Sequence, residues 1–294
     1  MLFFLSLLVD GALAGAIYAL IALAFVVVYK ASRMMNFAVG ECVMLGSQLV
    51  AIAMHVAGFG LLAGLVAACA GMAIFGVGFN VAVVRRLVGR PLLAAIMVTL
   101  GLGAVIRASS TLAFRGMPGR IPFPPSSDPL HVAGVMVAPE KLVAAVIATA
   151  CIAVVTWYFR ASRTGLALRA IADDQQVAMS MGMDVQRHFS ITWAMLGVIS
   201  VVAGTLWTFA AGGGVGIVLV GLKIFPIVII GGIDSLPGTI IGAVLVGVLE
   251  SLAAGYLDPQ LGGGFSTIAS YLVLIAVLFV RPQGMFGRAA VERV

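Results

Sequence analysis

The sequence carries 62% hydrophobic and 10% charged residues over 294 positions, with a net charge of +6, a pI near 9.7 and a mean hydropathy of +1.19. An ordinary soluble domain has roughly 45–50% apolar and about 25% charged residues, so a water-soluble globular protein is excluded. A β-barrel would show segments of about ten residues alternating in and out, and no such alternation is present. The composition predicts an all-α polytopic membrane protein.

In chain order, apolar segments fall at Leu5 to Tyr29, Phe37 to Ala57, Leu61 to Val84, Leu92 to Phe114, Leu142 to Phe159, Phe189 to Ala210, Gly216 to Gly232, Leu236 to Tyr256 and Phe265 to Val280. A span needs about 20 largely apolar residues. Eight or nine transmembrane helices are therefore expected, the short glycine-rich seventh being the one that is re-entrant or broken. The first segment has no basic residues ahead of it and stays apolar far beyond a signal-peptide core, so it reads as a retained span.

With the N-terminus outside and every segment crossing, twelve of the Lys and Arg residues, from Lys30 to Arg293, collect on one side. Only Arg115, Arg120 and Lys141 collect on the other. Lys and Arg concentrate in cytoplasmic loops, so this bias places the twelve, and the C-terminus, in the cytoplasm. The basic residues form no stripe or tail, which argues against a nucleic-acid partner. Cys42, Cys69 and Cys151 lie in separate spans with no metal or redox spacing and read as packing residues.

The whole chain, 1–294, reads as a single transmembrane domain with two elaborated loops. Outside, residues 115–140 hold six of the eleven prolines, which fix φ and remove donors, so an ordered, irregular cap is expected. Inside, residues 160–188 contain "TGLALRAIADDQQVAMSMGMD", the longest water-compatible stretch of the chain. Thr164 is placed to cap a first short helix, Asp173 with Gln176 to form a capping box for a second, and Gly182 to end it. The second helix carries Val177, Ala178, Met179 and Met181. Such a face is suited either to a groove on another protein or to folding back on the bundle.

Small residues four apart recur at Gly11 and Gly15, Gly60 and Gly64, Gly238 and Gly242, and Ala243 and Gly247. In lipid such pairs let helix backbones approach closely, and a tightly packed bundle follows.

A charge at the centre of a span costs roughly 2.5–3.5 kcal/mol on an insertion scale, so each polar residue inside a span is a candidate for pathway or gate. These are Asn36, Glu41 and Gln48 in the second segment, with Ser47 and His55 on one stripe, then Lys223, Asp234 and Glu250. Arg107, near the outer end of its segment, has snorkelling as its competing role, and Glu41 an interfacial one. Pro226 and the Gly231, Gly232 to Gly238 turn interrupt apolar helix and suggest a hinge. No P-loop, HExxH or GxSxG motif is present, so neither nucleotide hydrolysis nor hydrolase chemistry is expected of this chain, and no cofactor.

Five motifs in order then carry a resemblance. "NFAVGECVMLG", "RPLLAAIMVTLGL", "GLALRAIADDQQVAMSMGMDV", "GLKIFPIVIIGGIDSLPGTIIGA" and "RPQGMFG" are similar to the conserved blocks of the LivH-type permeases of branched-chain amino acid ABC importers. The departures are Cys42 for an aromatic or aliphatic residue, Ile233-Asp234 for Leu/Met-Gly, and Met183 for Ile. The resemblance implies a bacterial inner-membrane subunit that pairs with a LivM-like second permease, two cytoplasmic ABC ATPases that bind ATP and Mg, and a periplasmic substrate-binding protein. It also implies that the inner loop couples ATP use to transport through Arg169, Asp173, Asp174, Val177, Ala178, Met179 and Gly182. Related readings are an importer of urea, short amides or another small amino acid, and, in a different class, a carrier or channel that works alone.

Overall fold

The computed structural model describes the chain apart from residues 88–89, 114–120, 122–129, 133–134, 214–215, 262, 282 and 288–294. Each of the nine apolar segments is helical. They form α1 (Leu2–Ser32), α2 (Val39–His55) and α3 (Leu61–Phe79), the last continuing through a π-helical turn, Asn80–Val84, into α4 (Arg85–Leu87). Next come α5 (Leu92–Ala113), a small ribbon of β1 (Leu130–Val132) and β2 (Val135–Val137), and α6 (Pro139–Ala161). The short α7 (Arg163–Asp173) and α8 (Gln175–Ser180) precede α9 (Val185–Ala211), α10 (Ile217–Gly231), α11 (Leu236–Tyr256), α12 (Asp258–Leu261) and α13 (Phe265–Val280).

Six of these helices are long and apolar enough to cross a membrane, while α2, α10 and α13 have only 17, 15 and 16 residues. The chain nevertheless runs back and forth between two ends. Asp10 near the start of α1 meets Lys141 at the start of α6, and the end of α9 lines the same cavity. At the other end Arg33, just past α1, meets Asp234 after α10 and Ala172 in α7. The seventh segment, α10, leads from the loop after α9 to the turn beside Arg33 at the α7–α8 end. Pro226 does not break it. The helix runs through Pro226 and stops at Gly232, where φ is 96°. Met285 donates its N–H to the Ile230 carbonyl at that stop, at 2.8 Å.

The outer loop is not wholly irregular, since β1 and β2 pair antiparallel with Leu130 opposite Val137. Its proline-rich portion, with Arg115 and Arg120, lies outside the described residues, as does the Arg288 to Arg293 part of the tail. At the turn into α13, Ser266 donates from its backbone N–H (2.9 Å) and its hydroxyl (2.8 Å) to Asp258. These bonds, the backbone one first, hold that carboxyl below the usual carboxylate range.

The bundle is built around α1. Of its apolar core 78% is buried, against 22% for α3 and α5. It packs on α11, α9, α6 and α10. The glycine spacings are the cause. A Cβ on Gly11 would lie 2.6 Å from the Val248 Cα and one on Gly15 2.7 Å from the Val244 Cα, so two of the sequence's small-residue pairs, Gly11/Gly15 and Ala243/Gly247, are the two sides of one crossing. Without a hydrophobic force between helices in lipid, such backbone contact supplies the packing.

Overpacking a close contact of this kind costs typically about 1–3 kcal/mol. Gly15→Ala is therefore expected to lower the melting temperature in detergent measurably. Gly71→Ala, at a helical glycine with nothing within 4 Å, leaves it unchanged or slightly higher.

Candidate transport and coupling sites

The α7–α8 element is defined by its caps. Ser162 is in extended conformation and accepts from the Gly165 N–H at 2.9 Å, which makes it, rather than Thr164, the cap of α7. Asp173 is the last residue of α7, and Asp174 caps α8, accepting from Gln176 and Val177 N–H at 2.8 and 3.0 Å. Both caps shift because the cap residue must leave helical φ/ψ while its neighbours keep it. Gly182 ends α8 as expected, with φ of 81°. Its N–H bonds to the Met179 carbonyl and that of Met183 to the Ala178 carbonyl, the double bond pattern of a Schellman stop.

The apolar residues of α8 divide. Val177, Met179 and Met181 are 50–75% exposed, whereas Ala178 is 2% exposed. It shares the inward face with Leu168 and Ile171 of α7, so its methyl group closes the contact with the bundle and leaves the outward face to the other three. Asp173 and Asp174 are exposed. Arg169 turns back, donating to the Gly165 carbonyl at 3.3 Å and to that of Arg160 at 3.5 Å, so it staples α7 to the end of α6.

Arg33 joins this element to the bundle. It ends α1 in the left-handed region, φ 54°, the only non-glycine residue at positive φ among the described residues. Its guanidinium donates to the Ala172 carbonyl (3.3 Å) and to Asp234 (2.7 Å). The pair is roughly half exposed, so its energy is small, about 0–1 kcal/mol. Its value is positional, since one side chain touches the ends of α1 and α7 and the α10–α11 turn. Asp234 was visible in the sequence as a departure, and Arg33 only as a topology signal.

After Arg33 the chain has no regular structure to Asn36 and turns through Phe37 and Ala38 into α2. Thr99 of α5 holds this lead-in segment, accepting the Phe37 N–H at 3.3 Å, and Asn36 accepts the Ala38 N–H at 2.9 Å. Glu41, in the first turn of α2, consequently does not sit at the interface. It is 7% exposed and pairs with Arg107, about 22 Å along α5 from its start. Sequence reasoning put these two near opposite faces because it started the second segment, Phe37 to Ala57, at the membrane surface, whereas the non-helical residues 33–38 lead into α2 beside Arg107. Gln48, two turns further on, is half-buried, and its Oε1 has no partner among the described residues.

A second polar centre lies behind α1. Lys223 of α10 pairs with Glu250 of α11, 12% and 17% exposed. Tyr18 of α1 donates to Glu250 at 2.9 Å and accepts from Lys223 at 3.3 Å. Both charged residues were sequence candidates, and Tyr18 was not, because a tyrosine inside an apolar run gives no signal of its own. Tyr18 and Glu250 line a cavity of about 420 Å³ that reaches Asp10 and Lys141, themselves paired at 2.6 Å. Gly231 and Gly232 do not join either centre. They abut Gly238 and the C-terminal segment and shape the α10–α11 turn.

Six helices long and apolar enough to span a membrane, with charged pairs between them each drawn from two different elements, define an all-α polytopic membrane protein. Residues 7–281 match the family model described as "Branched-chain amino acid transport system / permease component", and the chain belongs to that family. It is 30% identical to the high-affinity branched-chain amino acid transport system permease protein BraD of Pseudomonas aeruginosa, over 99% of this chain and 98% of that one. It is 28% identical to the corresponding permease protein LivH of Escherichia coli K12, over 100% and 98%. The solved structure of PsaBC from Streptococcus pneumoniae in complex with Fab shares the fold, with TM-score 0.50 at 15% identity over 94% of this chain and 92% of that chain.

Removing one partner of a buried ion pair costs about 3–5 kcal/mol, whereas replacing both with apolar groups is often neutral. Glu250→Leu is therefore expected to lower stability in a chemical-denaturation series far more than the double change Lys223→Met with Glu250→Leu. Equal losses would show that the two residues do not act as a pair.

Proposed function

We propose that this chain is the membrane-spanning subunit of an ATP-driven importer of branched-chain or related aliphatic amino acids in the bacterial inner membrane. The 1–294 chain acts as one permease domain, and the α7–α8 end faces the cytoplasm. Family membership over nearly the whole chain supports the importer reading, and the basic residues gathered near Arg33, Arg160 and Arg169 support the orientation. ATP and Mg belong to two cytoplasmic ATPases, substrate delivery to a periplasmic binding protein, and a LivM-like permease completes the pathway.

The observation that carries the coupling reading is the split face of α8. Its inward residue, Ala178, fixes the element to the bundle, and Val177, Met179 and Met181 present an apolar patch outward at the end of the protein. A rigid, capped helix with an exposed methionine-bearing face is a groove ligand. Motion of a bound ATPase passes through α7 and Arg33 to the lead-in segment 33–38, and from there to Glu41. A second permease covers α5, which packs chiefly on α2 and leaves Leu93, Met97, Leu100 and Leu112 exposed.

Val177→Asp and Met179→Asp are expected to abolish ATP-driven uptake in proteoliposomes while the protein remains expressed and folded, because neither side chain is buried. Ala178→Asp buries a charge and lowers the amount of folded protein instead. Unchanged uptake in both exposed-face variants would remove the coupling assignment. Uptake that persists with no ATPase present would remove the importer reading.

A further inference from the structure

We infer that the Glu41–Arg107 pair is a transit site for the charged head of an α-amino acid: Arg107 receives the carboxylate, Glu41 the ammonium, and the apolar wall of the same groove the side chain. The inference rests on the importer reading above and assigns the place where the substrate pauses.

The groove runs along the seam of α2 and α5 with a volume of about 610 Å³, within the range of roughly 300–1,000 Å³ seen for ligand pockets. Phe37, Leu100, Ala104 and Leu112 supply its apolar surface. The two charges at its side are unequally held. Glu41 is 7% exposed and Arg107 is 51% exposed. One guanidinium N–H group bonds to Glu41 Oε1, and among the described residues the other donors have no partner. Glu41 Oε2 likewise accepts nothing there.

Gly103 of α5 makes room for the carboxylate. A Cβ at this position would lie 3.1 Å from the Glu41 carboxyl carbon and 3.2 Å from Oε2, so any side chain presses on the acid. Two further polar atoms continue the seam. Phe37 lies beside Thr99 and Glu41 beside Gly103, and about two turns further along their own helices stand Gln48 and Ser110. Gln48 Oε1 and the hydroxyl of Ser110, itself 2% exposed, are both buried without a partner among the described residues.

A half-exposed guanidinium at this depth is not tolerated against lipid, so the groove faces water or protein. An amino-acid zwitterion is the ligand that suits it. Its carboxylate matches the guanidinium fork, its ammonium replaces the arginine on Glu41, and one ion pair becomes two with no change of net charge. The Lys223–Glu250 pair does not offer this exchange, because Tyr18 already closes it into a triad.

The test uses the complete importer, with second permease, ATPases and binding protein, in proteoliposomes supplied with labelled leucine. Arg107→Gln and Gly103→Val are each expected to lower ATP-driven uptake about tenfold or more, the scale of a lost charge-assisted contact, while binding-protein-stimulated ATP hydrolysis persists. Arg107→Lys keeps part of the uptake, since the charge remains and only the fork is lost. Labelled leucine bound to the importer without binding protein in detergent falls in the same order. If wild type accumulates leucine and the double variant Glu41→Gln with Arg107→Gln does so at the same rate, the site is overturned. It is also overturned if uptake and stimulated hydrolysis fall together to the same extent, the mark of a purely structural pair. A wild-type importer that accumulates no leucine on ATP addition overturns the importer reading instead.

Discussion

Everything in the bundle is arranged about the crossing of α1 and α11. In a lipid solvent apolar side chains gain nothing by meeting each other, so the helices need backbone-to-backbone contact. Gly11 and Gly15 on one side and Ala243 and Gly247 on the other allow it. The consequence is geometrical: α1 becomes the axis of the protein, and α11 brings Glu250 against Tyr18, where Lys223 of α10 can close the triad. A bulkier seam would move Tyr18 away from Lys223 and Glu250, the two charges that its hydroxyl bridges.

The same axis sets the relation between the two ends. Because α1 is long and buried, its terminus at Arg33 is a fixed point, and three pieces of chain are referred to it: α7, the α10–α11 turn and the non-helical residues before α2. Thr99 ties the last of these to α5, accepting the Phe37 N–H, so α7 is linked to the Glu41–Arg107 seam through one hydrogen bond of Arg33 and the few residues that follow it.

Much of this fold was legible in the sequence, for reasons particular to membranes. With the backbone obliged to satisfy itself, an apolar run has to be helix, and the ends of α11 and α13 fall at the residues expected from hydropathy alone. The small-residue spacings were legible too, although not that two of them face each other. What the sequence hid was depth and pairing. Nothing in "KASRMMNFAVGE" shows that the non-helical residues 33–38 carry the chain to the level of Arg107 before α2 begins, and that moves Glu41 away from the interface. Tyr18 was hidden by its aliphatic neighbours. The caps were missed by one or two positions, Ser162 for Thr164 and Asp174 for Asp173, since several Ser, Thr and Asp residues compete there and only backbone angles decide.

The four ion pairs of the described residues each join two elements, and burial sorts them by what they can do. Arg33–Asp234 and Lys141–Asp10 lie at the ends, substantially exposed, where water competes and the pairs position chain rather than hold it. Lys223–Glu250 is buried and completed by a hydroxyl, so separating it leaves charges with no other partner, and it holds α10 and α11 together through any motion. Glu41–Arg107 is the intermediate case: one member is anchored inside the bundle and the other is open to the groove. An acid that cannot leave and a guanidinium that can turn make a pair able to admit a third charged group. That asymmetry follows from α5 being one of the two long helices least enclosed by their own chain. The feature that leaves the face of α5 open is thus the one that leaves its arginine available.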